Sequence, residues 1–296
     1  MVETTDALRH YHQAAYEGPH DGTNGHTILV LDKNLHCFPW ESMNCLKDHS
    51  LSRLPSLACL RRRILEQRDQ QKMHRPQQEE DRFLVDRHNG AFILNPGGDL
   101  TNTQNRFEEP LQELSSWECI IQRTPDEAEM KDCLGNHEVF LYFGHGSGSQ
   151  YIRSRTIKRL EKCAVALLMG CSSAALTEAG EFEPYGTPIS YMHAGCPALL
   201  ATLWDVTDKD IDRFSQAVLE KWGLFQQEAP PVSSSPVKKS AKPKGKAKAK
   251  EANSVTSAEK KSMSLDSAVA KSRESCILRY LNGAAPVVYG IPVFLS

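Results

Sequence analysis

Val139-Phe140-Leu141-Tyr142-Phe143-Gly144-His145-Gly146-Ser147-Gly148 opens the stretch that decides the fold, and Ala164-Val165-Ala166-Leu167-Leu168-Met169-Gly170-Cys171-Ser172-Ser173 closes it. Each begins as an unbroken apolar run. An alternating run would mark a strand with one wet face; a continuous one marks a strand covered on both faces, as in parallel sheets. Each run then ends in a glycine-bearing turn that carries one reactive side chain. Apolar residues recur at helical spacing over 152–163 between them. The 26 residues from His145 to Cys171 suit a crossover that returns the chain to a neighbouring parallel strand. His145 and Cys171 are therefore expected to face each other at the carboxyl edge of a sheet, where open α/β sheets bind ligands.

The pattern extends outward from this pair. Thr27-Ile28-Leu29-Val30-Leu31 reads as a first buried strand, Ala91-Phe92-Ile93-Leu94 as a second, and Ala198-Leu199-Leu200-Ala201-Thr202-Leu203 as a fifth. Helical spacing recurs over 57–65 and 210–222. Strands alternating with helices predict an α/β domain with a mostly parallel central sheet flanked by helices on both faces. Residues 1–25 read as an N-terminal extension and 26–296 as that domain. Two segments within it look unstructured: a polar loop at 66–81 and a Pro/Ser/Lys/Ala-rich stretch at 229–262. Because Ala285-Pro286-Val287-Val288-Tyr289 and Ile291-Pro292-Val293-Phe294-Leu295 follow the second segment, it reads as an insertion and not a tail.

The formal net charge of the 296 residues is -2, but it is unevenly placed. The 229–262 stretch holds nine lysines against Glu251 and Glu259, a surplus of +7, which leaves about -9 for the rest. A solvated linker explains those lysines; a weak nucleic-acid contact is the alternative. No apolar run is long enough to span a bilayer, and Met1-Val2-Glu3-Thr4-Thr5-Asp6 lacks the character of a secretory signal. A soluble intracellular protein is expected, with no membrane partner. The nine cysteines show no Cys-x-x-Cys pair and no ligand cluster, so neither a metal site nor a cofactor is expected. Cys37, Cys45, Cys59, Cys119, Cys133, Cys163, Cys196 and Cys276 read as reduced, mostly buried apolar side chains.

Cys171 stands apart. A free thiol is mostly protonated at neutral pH, and a neighbouring imidazolium favours the nucleophilic thiolate. The same imidazole can then protonate a leaving amine. Gly146 and Cys171 are candidates to supply backbone N–H groups for an oxyanion hole. A helix opening at Cys171 would add its dipole. Taken singly, a Gly-His-Gly or a cysteine after a strand is structural more often than not; their equivalent placement favours catalysis. Beyond the fifth strand, Trp204-Asp205-Val206-Thr207-Asp208-Lys209-Asp210-Ile211-Asp212-Arg213 gathers four aspartates at the same edge. With helix starting near Thr207, Asp208 and Asp212 share a face. Acids at a helix start are commonly dipole-complementing surface groups, yet four of them beside the pair suggest a pocket for a cationic side chain.

These residues resemble the separases. The resemblance rests on Phe-Gly-His-Gly-Ser-Gly at 143–148, Met-Gly-Cys-Ser-Ser at 169–173, Ala-Gly-Cys-Pro at 194–197 and Leu-Trp-Asp-Val-Thr-Asp-Lys-Asp-Ile-Asp-Arg at 203–213. Gly-Ala-Ala-Pro-Val-Val-Tyr-Gly-Ile-Pro-Val at 283–293 and Pro39-Trp40-Glu41-Ser42 belong to it as well. It implies a caspase-like fold and a cysteine endopeptidase of cytoplasm and nucleus. Such an enzyme cleaves the kleisin subunit of cohesin after an arginine preceded three residues earlier by glutamate, and is inhibited by securin lying in the cleft. His145 and Cys171 fall on the family's catalytic positions. Asp205 and Asp212, with Asp208 as the alternative and Trp204 beside them, are expected to bind the substrate arginine. Two other readings stay open: a caspase-like peptidase of the CHAT type, and a non-enzymatic chromatin scaffold recruited through the basic loop.

Overall fold

The central strands form where the sequence is continuously apolar, and the helix over 208–222 where apolar residues recur every three or four positions. The computed structural model describes residues 25–74, 82–225 and 263–296. Strand β1 (Thr27–Leu29) leads through two 3₁₀ turns to β2 (Leu51–Arg53) and helix α1 (Leu57–His74). Next come β3 (Phe83–Val85), β4 (Gly90–Leu94), α2 (Thr101–Gln112), β5 (Glu118–Ile121) and α3 (Glu127–Gly135). They are followed by β6 (Val139–Phe143), the single turn α4 (Ser154–Ile157), β7 (Val165–Leu168), β8 (Leu176–Ala179) and β9 (Phe182–Gly186). Helix α5 (Thr187–His193), β10 (Ala198–Thr202) and α6 (Asp208–Trp222) precede α7 (Leu265–Ser272), β11 (Pro286–Gly290) and β12 (Val293–Leu295).

Eight strands build one sheet in the order β1-β2-β11-β10-β7-β6-β4-β5. Its pairings are parallel except β10 with β11. Successive side chains of a strand point to opposite faces, and β6 makes both cores of the molecule. Val139, Leu141 and Phe143 join Phe107 of α2 and Phe214, Val218 and Trp222 of α6. Phe140 and Tyr142 join Met130 and Leu134 of α3 and Tyr191 of α5 on the other face. Each such side chain contributes about 1.5–3 kcal/mol by leaving water. Phe107 stacks on Phe143 at 4.4 Å between ring centroids, which couples α2 to the strand that carries His145. In α6 the buried Ile211, Phe214, Val218 and Trp222 form one stripe. The helix stops where Gly223 takes the left-handed φ of 97°.

Four expectations need correction. The polar segment at 66–81 is helical as far as His74, where α1 ends. Its Glu, Gln, Arg and Lys residues are good helix formers. Residues 171–174 form a turn and not a helix, and the chain continues into the β8–β9 hairpin. The crossover helix over 152–163 shrinks to the single turn α4. β1 is a short edge strand rather than a buried one, ending at Leu29 with Val30 exposed. Of the eight cysteines read as mostly buried, Cys59, Cys133, Cys163, Cys196 and Cys276 are, whereas Cys37, Cys45 and Cys119 are exposed. The insertion at 229–262, the loop residues 75–81 and the extension before Gly25 lie outside the described residues. Among the described helices none is long and apolar enough to cross a membrane.

Candidate active site

The register of β6 against β7 fixes the geometry. Tyr142 pairs with Leu168. His145 and Cys171 each stand three residues beyond that pair, so adjacent parallel strands deliver them to the same level of the carboxyl edge. The two turns touch. A β-carbon on Gly170 would overlap the carbonyl oxygens of Gly144 and Gly146, so only glycine lets them approach this closely. Gly146 has a φ of 62°, the left-handed region glycine enters without strain.

Separate sets of bonds hold the two side chains. The His145 carbonyl accepts hydrogen bonds from the Tyr142 hydroxyl at 2.9 Å and the Gln150 amide at 3.3 Å. Its imidazole is 60% exposed, with Nε2 2.8 Å from Asp99 Oδ2. That bond, before any other influence, holds the Asp99 carboxyl below the usual carboxylate range. The half-buried Cys171 thiol donates to the Val206 carbonyl at 3.2 Å. Its turn is stitched to the end of β10: Ser172 N–H donates to the Trp204 carbonyl at 3.2 Å, Ala174 N–H to Thr202 at 2.8 Å, and the Thr202 hydroxyl to Gly170 at 2.7 Å. Among the described residues no hydrogen bond joins imidazole to thiol. The N–H groups of Gly146 and Cys171 donate to no described residue.

The four aspartates after β10 have four different fates. Exposed Asp205 accepts a 2.6 Å bond from the Ser172 hydroxyl and so lies beside the Cys171 turn. Exposed Asp208 starts α6. Asp212, only 5% exposed, takes both its bonds from the Thr103 hydroxyl of α2, at 3.1 Å each. Burial pushes its carboxyl up to about 6, with Asp208 adding to the rise and Thr103 and Arg106 opposing it. Asp205 is thus held by the Cys171 turn, through Ser172, and Asp212 by α2, through Thr103. Asp210 is buried and occupied. Ile277 N–H, Leu278 N–H, the Asn282 amide and Arg213 all donate to it at 2.9–3.1 Å. Burial pushes this carboxyl up, and those bonds outweigh it and leave it lowered. Asp210 thereby anchors a 277–282 loop whose Ile277, Leu278, Tyr280 and Leu281 are exposed. Trp204 joins that loop to the site by donating from Nε1 to the Leu281 carbonyl at 3.1 Å.

Sequence reasoning missed two residues, Asp99 and Asp210. For Asp99 the signal was available: Asn95-Pro96-Gly97-Gly98-Asp99 is another glycine-rich turn after a buried strand, and β4 lies beside β6. Asp210 could not be told from its neighbours, because its partners come from a loop far along the chain. Among the described residues no group of three or more His, Cys, Asp or Glu could hold a metal ion. A cavity of about 1160 Å³ lined by Arg87, Glu113, Trp117, Glu220 and Phe225 lies at the opposite edge of the sheet.

The mostly parallel sheet flanked by helices is a caspase-like α/β fold, and it brings a thiol and an imidazole to adjoining strand ends. The separin protease domain family model matches residues 1–211. The chain belongs to that family. It is 51% identical over its full 296 residues to separin of Emericella nidulans, of which it covers 13%. It is 46% identical over 277 residues, 91% of its length, to separin of Schizosaccharomyces pombe, again covering 13%. Among solved structures it is similar to separase in the Saccharomyces cerevisiae separase–securin complex, with a TM-score of 0.73 and 37% identity over 92% of this chain and 16% of that one. The chain thus spans about an eighth of the length of these curated relatives.

Proposed function

We propose that the chain is a cysteine endopeptidase with Cys171 as nucleophile and His145 as general base and acid, cleaving the kleisin subunit of cohesin after arginine. The observation that carries the reading is the equivalent placement of the two residues beyond the Tyr142–Leu168 pair, in turns pressed together at Gly170. His145 takes the thiol proton as Cys171 sulfur bonds to the scissile carbonyl carbon. The oxygen becomes an oxyanion between the N–H groups of Gly146 and Cys171, each such donor worth about 3–4 kcal/mol in the transition state. His145 then protonates the departing amine, and water releases the acyl group by the reverse sequence.

Asp212 is the favoured seat of the substrate arginine. Among the described residues this buried carboxylate is hydrogen-bonded only by a hydroxyl, with Arg106 acting on it electrostatically, and a guanidinium would supply the forked hydrogen bonds that it lacks. Asp205 at Ser172 is the second candidate, with Asp208 behind it and Trp204 bordering the pocket. A securin segment would inhibit by lying in the same cleft, and cytoplasm and nucleus are where such an enzyme would act. The test is kcat/KM on peptides ending in arginine, lysine or citrulline. Strong preference for arginine is expected; equal turnover of all three would remove the arginine pocket from this account.

A further inference from the structure

We propose that Asp99 is a positioning residue for His145, fixing the imidazole so that Nε2–H is engaged and Nδ1 faces the thiol. An exposed ion pair at 2.8 Å would by itself mean little, since such pairs are often incidental. What sets this one apart is the scaffold that presents it. Asn95, at the end of β4, is buried with a left-handed φ of 51°, a conformation uncommon outside glycine. Its N–H donates to the Phe143 carbonyl at 2.8 Å, two residues before His145. The carbonyl of its side chain accepts from Leu100 N–H at 2.9 Å, and its side-chain amide donates to Gln104 at 2.7 Å. The Asp99 turn is therefore pinned on one side to the strand that carries His145 and on the other to the first turn of α2.

Glycines shape the same contact. A β-carbon on Gly97 would stand 2.9 Å from Asp99 Oδ1, so a side chain there would push the carboxylate away from the ring. One on Gly144 would stand 2.6 Å from the Tyr142 hydroxyl that holds the His145 carbonyl. His145 is held at its carbonyl by Tyr142 and Gln150, which fixes the backbone and leaves the ring free to rotate. Asp99 supplies the missing constraint. A carboxylate accepts only, so the nitrogen facing it carries hydrogen, and the other nitrogen is the one able to take a proton.

The assignment of Nδ1 to the thiol rests on the peptidase reading; the tautomer does not, and the experiment separates them. ¹⁵N-histidine NMR on the whole chain, with the His145 signals assigned from their loss in His145→Gln, reports the tautomer directly. The Nε2–H form is expected in wild type, and a mixed or reversed tautomer in Asp99→Ala. On an arginine peptide, Asp99→Asn should lower kcat by about tenfold or more with KM within about twofold; a buried triad loses more from such a change. Asp99→Glu should recover part of the loss, and formate should restore part of the turnover of Asp99→Ala. An unchanged tautomer in Asp99→Ala overturns the proposal whatever turnover does. Full turnover by Cys171→Ser would sink the peptidase reading while leaving the tautomer result intact.

Discussion

Asp212 is buried at a cost that Thr103 and Arg106 only partly offset. Its carboxyl, raised to about 6 from 3.8, binds protons more readily in the folded chain than in the unfolded one. Below about pH 3.8 both states are protonated and the residue costs nothing; stability is lost as pH rises from there to about 6 and stays lost above. Asp212→Asn should therefore stabilise the fold at pH 7.5 by about 1–2 kcal/mol, after discounting for solvent screening, and not at all at pH 3.5. Thermal melts at the two pH values check this. The same variant should lose its preference for arginine over citrulline. In wild type, KM for an arginine peptide should fall as pH rises through about 6, because the bound cation favours the ionised carboxylate. A flat KM across that range would place the arginine elsewhere. Gly170 makes a sharper steric test. The added methyl of Gly170→Ala must displace the Gly144 and Gly146 carbonyls, which should cost about 1–3 kcal/mol of stability. Misplacing the His145 turn by even about 1 Å should lower kcat about a hundredfold.

Elements were legible in the sequence where one short stretch contains its own reason for folding. β4, β6, β7 and β10 carry continuous apolar runs, and α6 carries an apolar stripe, so each was readable alone. β11 appeared only as an apolar segment, because its antiparallel place beside β10 depends on a partner about ninety residues away. The turn at 171–174 resembles a helix start by composition. It becomes a turn because Thr202 and Trp204 supply the hydrogen bonds that a helix would have made internally. The His145–Cys171 pair was legible for the same local reason; the Asp99 turn was visible as another glycine-rich turn after a strand, but its bond to His145 forms only across the β4–β6 pairing. The 277–282 loop is likewise long-range, and it yields a prediction. Asp210→Ala removes the acceptor of the Ile277 and Leu278 N–H groups and leaves the Asn282 amide only its bond to the Thr207 hydroxyl, which should cost about 1–3 kcal/mol. Since the Asp210 carboxyl is lowered on folding, its contribution is present above about pH 3.8 and lost as pH falls below that. Hydrogen exchange should show Ile277 and Leu278 losing protection at neutral pH in the variant. Unchanged protection would mean that the loop is held by something else.

At the scale of the whole molecule, the described residues on both sides of the lysine-rich insertion pack on one core. Phe225, after α6, and Met263, before α7, pack against the same hydrophobic core. Replacing 230–260 by a short Gly/Ser linker should therefore leave melting temperature and peptide kcat/KM within about twofold of wild type, since closure entropy changes slowly with loop length. Unfolding, or loss of peptide cleavage, would show the insertion to be part of the machinery. The rest of the molecule then amounts to a rigid sheet whose carboxyl edge brings one thiol and one imidazole to the same level. The most direct test of that claim is hydrolysis of an arginine-terminated peptide by Cys171→Ser, by His145→Ala and by the double variant, with thermal melts alongside. Unchanged melts and a loss of at least about a thousandfold in each are expected, with the double variant no worse than either single one because the two residues act as a unit. Near-normal turnover by Cys171→Ser would contradict that claim.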